Sequence, residues 1–559
     1  MQKILLSLFC LVFAGVGFAE KLPDNMYFKA MKREMDRSLK KLRRKGAPNP
    51  FFIAYKLENL QLAPMIKASF GELHPPFKRD DNLSGYVAIS IGSAQKDSWG
   101  FKHSAYSDRY SYAPEYSYNI AKSYDGIRQK MWNLTDFGYL FSTELYQQKQ
   151  AYERTKQQTE DKKLPDVVLT KQAHYVEELA ALPSYDEQTL KTKVKELSAL
   201  GKKYPFLEQF SIQVEPQKRD IFYLNSLGGF YQLSTPTVRI YFSAQLRNRD
   251  GFKQNYQSEY WTPSLNEETY TQMQQRVNEF LEGLEALYQA VKPEEYMGPV
   301  LLRPHAAGQF IYNLLGRNIQ NQKPILSSRS EEDPTVGKFR KVGLRVMAPS
   351  ITVYDNPLAR YVPSPYGEIE LGGFMPVDDE GVAAEKLTLV ENGRLKQLPR
   401  TMRPLKEKTS SNGHARMNQR SFAREGLTNI QVQPQHTLSD AQLEQKLRAR
   451  CRELGLAYGY ILHDFPEEND GVVSRATRVY ADTDKRETVY GLRVSNLTTR
   501  ALRDITAAGE QSQVVWIDSP FVFQGLPSQS VFSPALLVDE MEFVPTDKKP
   551  DKKPFVPKP

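Results

Sequence analysis

Cysteine is almost missing from this chain, which has two in 559 residues, Cys10 and Cys451. If the N-terminal segment is removed, as argued below, Cys451 stands alone. A single thiol excludes an internal disulfide and any zinc centre built from several cysteines. Histidine is sparse as well, with seven residues and no pair at HxH or HxxH spacing, so a metal site is poorly supplied with ligands. No G-x-S-x-G elbow, no phosphate-binding glycine loop and no cysteine–histidine pairing is visible. After the first 16 residues no apolar run nears the ~20 residues that span a bilayer.

The one long apolar run has the form of an export leader. Gln2-Lys3 supplies a positive start, Ile4 to Val16 is apolar, and Gly17-Phe18-Ala19 before Glu20 is a small-x-small cleavage site. Cys10 sits mid-run with no small residue before it, which argues against lipid attachment. The expectation is a leader over 1–19 and an exported protein of the periplasm or extracellular space, without a transmembrane segment.

What is present describes a globular protein. Hydrophobic residues make up 40% and aromatics 11%, too many for a disordered chain, and the length suits two to four domains. The net charge of +9 is uneven: 29–45 holds nine basic and two acidic residues, +7, and 546–559 holds five and two, +3. A basic helix suits an anionic surface, but an exported protein rarely meets nucleic acid, so no nucleic-acid partner is expected.

Phe28, Met31, Met35, Leu39 and Leu42 recur at helical steps until Gly46-Ala47-Pro48 stops them. Phe51 to Leu57 and Tyr86 to Ile91 read as strands, Ile127 to Leu145 as a long helix, and 206–260 as strands. Ser264 and Glu267 have capping-box spacing before a helix bearing Met273, Val277, Phe280 and Leu284. Gly298-Pro299 makes a boundary, after which β signals dominate, including the Asn392-Gly393 hairpin turn. The expected fold is α+β, in two domains. An N-terminal α/β domain over 20–297 has a mixed or antiparallel sheet and long helices. A β-rich, barrel-like domain follows over 298–545, then a disordered Pro/Lys-rich tail over 546–559.

Several segments, taken in order, carry a family likeness. They are Tyr223-Leu224-Asn225-Ser226-Leu227-Gly228, the strand–turn–helix unit 299–317, Ile351 to Pro357, Val377-Asp378-Asp379-Glu380-Gly381-Val382, the 390–395 hairpin, Ser411-Asn412-Gly413-His414-Ala415-Arg416, and Pro534 to Glu540. Over about residues 25–545 the chain resembles the TldD/PmbA family of metallopeptidase-related proteins. In zinc-bearing members the 299–317 unit carries an HExxxH motif, and a cysteine completes the ligands. The resemblance places Tyr312, Asn313 and Arg317, at the exposed tip of the helix, on the motif positions, and Gln524 on the cysteine. Phenol, amide and guanidinium are poor zinc ligands, and the guanidinium stays protonated. Zinc, the cofactor of active relatives, is therefore not expected here. The motif's histidines stand five residues apart, about 140° around an ideal helix, so the helix must distort locally, which Gly316 permits.

Other residues offer less. His463 and Asp464 read as a loop hydrogen-bonding pair, and Asp378, Asp379 and Glu380 as a solvated turn. The resemblance implies a non-catalytic, peptide-binding protein in which Tyr312, Asn313, Arg317, His414, Arg416 and Gln524 line a vestigial site. Its partner is a zinc-bearing TldD-like subunit or a second copy. The alternatives are an active exported peptidase with an unrecognised metal or nucleophile, and a self-associating structural module suggested by 31 tyrosines and the basic tail.

Overall fold

The computed structural model describes residues 21–77, 80–102, 116–117, 119–155, 164–320, 326–327, 337–364, 367–405, 409–418, 421–466, 471–517 and 528–546. The leader, Gln524 and residues 547–559 of the tail lie outside them.

The first half is organised by one largely antiparallel sheet. Its main strands are β1 (Pro50–Leu62), β2 (Asn82–Ile91), β3 (Leu207–Asn225), β4 (Phe230–Arg247) and β5 (Lys253–Thr262), in the order β5-β4-β3-β1-β2. β3 and β4 form a long hairpin whose turn is pinned by Asn225: its Oδ1 accepts from the Leu227 and Gly229 amides, and Gly228 takes φ 101°. Because side chains alternate along a strand, the sheet has two distinct faces. Tyr55, Leu57, Ile89, Phe222 and Leu224 point outward under α1 (Met26–Lys41) and α2 (Tyr124–Thr155). Further along that face, Phe210, Ile212, Val214 and Ile240 pack under α3 (Glu187–Ala199) and α4 (Glu267–Tyr288). Phe52, Ala54, Tyr223 and Tyr231 point the other way, onto Val377, Val382, Met402 and Met417 of the second half.

The expected capping box at Ser264 is not formed. The N-cap of α4 is Asn266, whose Oδ1 accepts from the Thr269 amide, while Ser264 contributes only its carbonyl, to Thr269 Oγ1. A carboxamide two residues closer to the orphan amides reaches them without bending the chain.

The second half is built on a twelve-stranded mixed sheet. It contains β6 (Tyr296–Leu302), β7 (Ile351–Asp355), β8 (Leu387–Glu391), β9 (Asn429–Pro434), β10 (Tyr458–Leu462), β11 (Ala476–Tyr480), β12 (Ile505–Ile517) and β13 (Gln529–Pro545), with the path β8-β7-β9-β13-β6-β10-β11. Gly298 and Pro299 lie inside β6, at a bulge in its pairing with β13. Asn392 and Gly393 hold positive φ (50° and 71°) at the hairpin after β8, as the turn signal requires.

The barrel-like expectation fails among the described residues: the terminal strands of the path do not pair with each other. The cause is β13. At 17 residues it outruns its neighbours, pairing with β9 and then β6 along one edge and with β12 along the other, so the sheet branches there instead of closing. α5 (Pro304–Ile311) covers one face, and α6 (Asp440–Glu453) covers the other with Leu443, Leu447 and Cys451 against Leu301, Ile461 and Leu537. Cys451 is fully buried, and burial pushes its thiol up to about 11. It is expected to stay unmodified by a thiol reagent in the native protein and to react in urea, with reaction tracking the loss of far-UV circular dichroism.

Candidate functional site

β6 delivers the chain to α5, whose first turn begins with Pro304, a position where the missing N–H costs nothing. Pro304–Ile311 is regular α-helix, Tyr312–Gly316 is a π-turn, and Arg317–Ile319 closes the element. Ala307, Phe310, Ile311, Leu314 and Leu315 are buried in the core of the second half. A Cβ on Gly308 would come within 2.6 Å of Val515, so the helix lies hard against β12.

The π-turn solves the spacing problem noted in the sequence. A π-turn closes i to i+5, and the Arg317 guanidinium lies over the Tyr312 ring at 5.5 Å from its centroid. Gly316 makes room: a Cβ there would stand 3.0 Å from Tyr312 Cδ2 and 3.2 Å from Ile430 Cδ1. The expectation of an exposed tip holds for Arg317 only. Tyr312 is 7% exposed because its ring fills the widened turn, and half-buried Asn313 donates to the Pro466 carbonyl at 2.7 Å.

His414 and Arg416 stand apart from this pair, in a buried polar layer beneath α5. Gly413 takes φ 74° where a Cβ would strike the Ala383 carbonyl at 2.3 Å. His414 Nδ1 lies 2.9 Å from the Asn412 carbonyl, and Nε2 lies 3.0 Å from Asp355 Oδ2, without the alignment of a hydrogen bond. Asp355 also accepts from the Thr428 amide and hydroxyl. Arg416 packs on Met375 Sδ and donates to the Ser528 carbonyl at 3.4 Å; burial holds its guanidinium below its ordinary range, against the pull of Asp379 and Asp355. No direct contact joins Tyr312 or Arg317 to His414 or Arg416 among the described residues. The link is indirect: Gln320, just past α5, accepts from Gln529 at 3.1 Å, and Gly426 lies between Gln320 and Arg416.

The turn read as solvated is buried throughout. Asp378, Asp379 and Glu380 are 0–2% exposed. Asp378 accepts from the amides of Glu380, Val382 and Ala415. Asp379 accepts from Tyr231 Oη at 2.7 Å and the Met417 amide at 2.8 Å, and pairs with Lys56 Nζ at 3.2 Å. Its carbonyl takes the Tyr223 hydroxyl. The acidic run is therefore inserted into the inner face of the first sheet, where Tyr223, Tyr231 and Lys56 meet it. Gly381, at φ 80°, allows the turn, since a Cβ would hit Asn225 Nδ2 at 2.4 Å. A buried ion cluster adjoins it: Asp97 bonds Arg403, and Lys149 reaches Asp97 and Asp166. Sequence reasoning missed both clusters. The available signal was the apolar flanks of the acidic run, Val377 and Val382, which mark a buried turn.

His463 and Asp464 do not bond each other as the pair reading expected; neighbours along an extended chain point apart, so His463 Nε2 lies 2.9 Å from Thr477 Oγ1, and Asp464 accepts from the Ser474 and Arg475 amides. Among the described residues no three His, Cys, Asp or Glu side chains gather to hold a metal. A phenol ring under a guanidinium and an amide committed to a carbonyl do not make a zinc donor set.

Residues 294–544 match the family model described as the PmbA/TldA metallopeptidase C-terminal domain. Over those residues the chain carries a domain of the TldD/PmbA metallopeptidase family. Its sequence is 26% identical over 179 residues to a metalloprotease of Archaeoglobus fulgidus, a stretch that takes in 32% of this chain and 37% of that protein. It therefore spans little more than a third of the curated relative's length. Two solved structures share the fold across 92% of this chain and 100% of their own. They are TldE from Thermococcus kodakarensis (13% identity, TM-score 0.54) and a protein described as a modulator of a DNA gyrase from Thermotoga maritima (14%, 0.58). In this TldD/PmbA-type domain the π-turned helix carries Tyr312, Asn313 and Arg317.

Proposed function

We propose that this chain is an exported, zinc-free member of its family that binds peptide, alone as a homodimer or as the non-catalytic partner of a zinc-bearing subunit. The observation that carries the reading is the π-turn: the helix keeps the distortion that brings residues 312 and 317 together, yet fills it with a cation–π pair. A fixed guanidinium at an exposed helix end suits a carboxylate, such as a peptide C-terminus, and an extended peptide binds a sheet edge through main-chain hydrogen bonds that need no metal.

Metal analysis of the purified full chain is expected to find zinc well below one equivalent. The triple variant Tyr312→His, Asn313→Glu, Arg317→His is expected to gain chelator-sensitive zinc binding, because it restores two imidazoles across a turn already shaped for them. Stoichiometric zinc in the unmodified protein, or chelator-sensitive peptide cleavage by it alone, would reject the proposal in favour of an active peptidase.

A further inference from the structure

The outer layer of the first sheet holds a charged surface that the peptide-binding reading does not use. Lys29, Lys32, Arg33, Lys40 and Lys41 are exposed on α1, and Arg43, Arg44 and Lys45 continue past its end. Three of the nine cations between 29 and 45 are answered locally: Lys29 pairs with Asp24, Lys32 with Asp36, and Arg37 with buried Glu34. Among the described residues no carboxylate lies within ion-pair distance of Arg33, Lys40, Lys41, Arg43, Arg44 or Lys45. With +7 in 29–45 and +3 in 546–559, the remainder of the +9 chain carries 9 − 7 − 3 = −1, so this field is local.

Beside the cations lie apolar side chains that no core requires. Trp132 is 45% exposed and Leu140 38% exposed, two turns apart on α2. The helices run alongside each other in the same direction: Arg128 faces Glu34, the Arg37 guanidinium lies 5.9 Å from the centre of the Trp132 ring, and Tyr139 bonds the Pro48 carbonyl. Leu140 is thus level with the basic 43–45 end. The carboxylates of this layer are Asp24, Glu34 and Asp36, all paired, Asp125 beside Arg128, Asp136 between Trp132 and Leu140, and further along α2 Glu144 and Glu153, the latter paired with Lys96.

From this juxtaposition we infer that the α1–α2 layer docks the protein on an anionic lipid bilayer, with the basic stripe at the headgroups and Trp132 and Leu140 seated in the interface. Cations beside a half-exposed indole and a leucine match the two components of interfacial binding, charge attraction and shallow apolar burial. A nucleic acid would use the charge but leave Leu140 unexplained. The docking layer is on the opposite sheet face from Tyr223, Tyr231 and the buried acidic turn, so a docked protein keeps its second half on the side away from the bilayer.

The test is co-sedimentation of the full chain with vesicles of phosphatidylcholine alone or with one third phosphatidylglycerol. Binding is expected only to the anionic vesicles and to weaken as salt rises. The variant Lys40→Glu, Lys41→Glu, Arg43→Glu, Arg44→Glu is expected to lose about a hundredfold or more in affinity, with an unchanged thermal unfolding curve showing that it folds. Trp132 emission, isolated by subtracting Trp132→Phe, is expected to shift to the blue on anionic vesicles. Equal binding to neutral vesicles, an unaffected charge-reversed variant, unmoved Trp132 emission in bound protein, or binding to duplex DNA without binding to vesicles would each overturn the inference.

Discussion

Asp97→Ala is expected to lower the free energy of unfolding by about 3–5 kcal/mol, the range for removing one partner from a buried charge cluster. Asp97 is fully buried. Its carboxylate bonds the Arg403 guanidinium, lies 3.4 Å from Lys149 Nζ, and accepts from Ser90 Oγ and the Trp99 amide at 3.1 Å each. Burial favours the protonated acid, but Arg403 and Lys149 outweigh it and hold Asp97 below the usual carboxylate range. Its contribution is therefore present at neutral pH and lost as pH falls through the depressed native value. Alanine leaves Arg403, 8% exposed and stacked on Trp99, without its carboxylate, whereas Lys149 keeps Asp166 at 2.7 Å. Arg403→Met in the Asp97→Ala background should recover much of the loss, since an uncharged side chain needs no counter-ion. Urea unfolding of wild type, both single variants and the double variant measures this as a coupling energy. Additive effects would mean the pair does not join the two halves of the molecule as the geometry indicates.

What the sequence made legible was what repeats. The helical steps of Met31 and Met35, the β-branched and aromatic strands, and Asn392-Gly393 each depend on local chemistry, and each takes the anticipated form. Closure of the second sheet was not local. It depends on β13 being long enough to serve several neighbours, and no periodicity reports which strands share an edge. The candidate site divides the same way. That the five-residue spacing of the motif implied by the family resemblance demands a distorted helix was legible, since ideal helix geometry sets such residues about 140° apart, and the π-turn meets it. That Asp378, Asp379 and Glu380 are buried was not. Acidic residues before a glycine read as a solvent turn unless one knows that Lys56, Tyr223 and Tyr231, the nearest of them 148 positions before Asp379, meet them. The link from Arg416 to Gln320 through Gly426 is equally non-local.

The buried acidic turn should also make stability depend on pH in the sense opposite to most carboxylates. Glu380 is 1% exposed; its Oε2 accepts from the Met402 amide at 2.6 Å, and its Oε1 has no hydrogen-bond partner among the described residues. It borders a cavity of about 10 Å³, room for about one water. Burial, and next the charge of Asp378, push its pKa up to about 8; burial raises Asp378 to about 6 against the pull of three amides. In the unfolded chain both titrate near 4. Between those values and the native ones, the folded protein holds protons that the unfolded chain has released. Stability is then fully present below about pH 4 for these groups and falls as pH rises toward 8, by up to about 1.4 kcal/mol per pH unit for each group titrating. Asp97 acts only in acid, outside this window. Glu380→Gln supplies an amide that accepts from Met402 and cannot ionise. It should match wild type within about 1 kcal/mol at pH 6 and exceed it by a few kcal/mol at pH 9, as read by urea unfolding at both pH values. Curves that stay parallel across that range would show that Glu380 is already ionised in the native protein, with the neighbouring Arg403 guanidinium outweighing its burial.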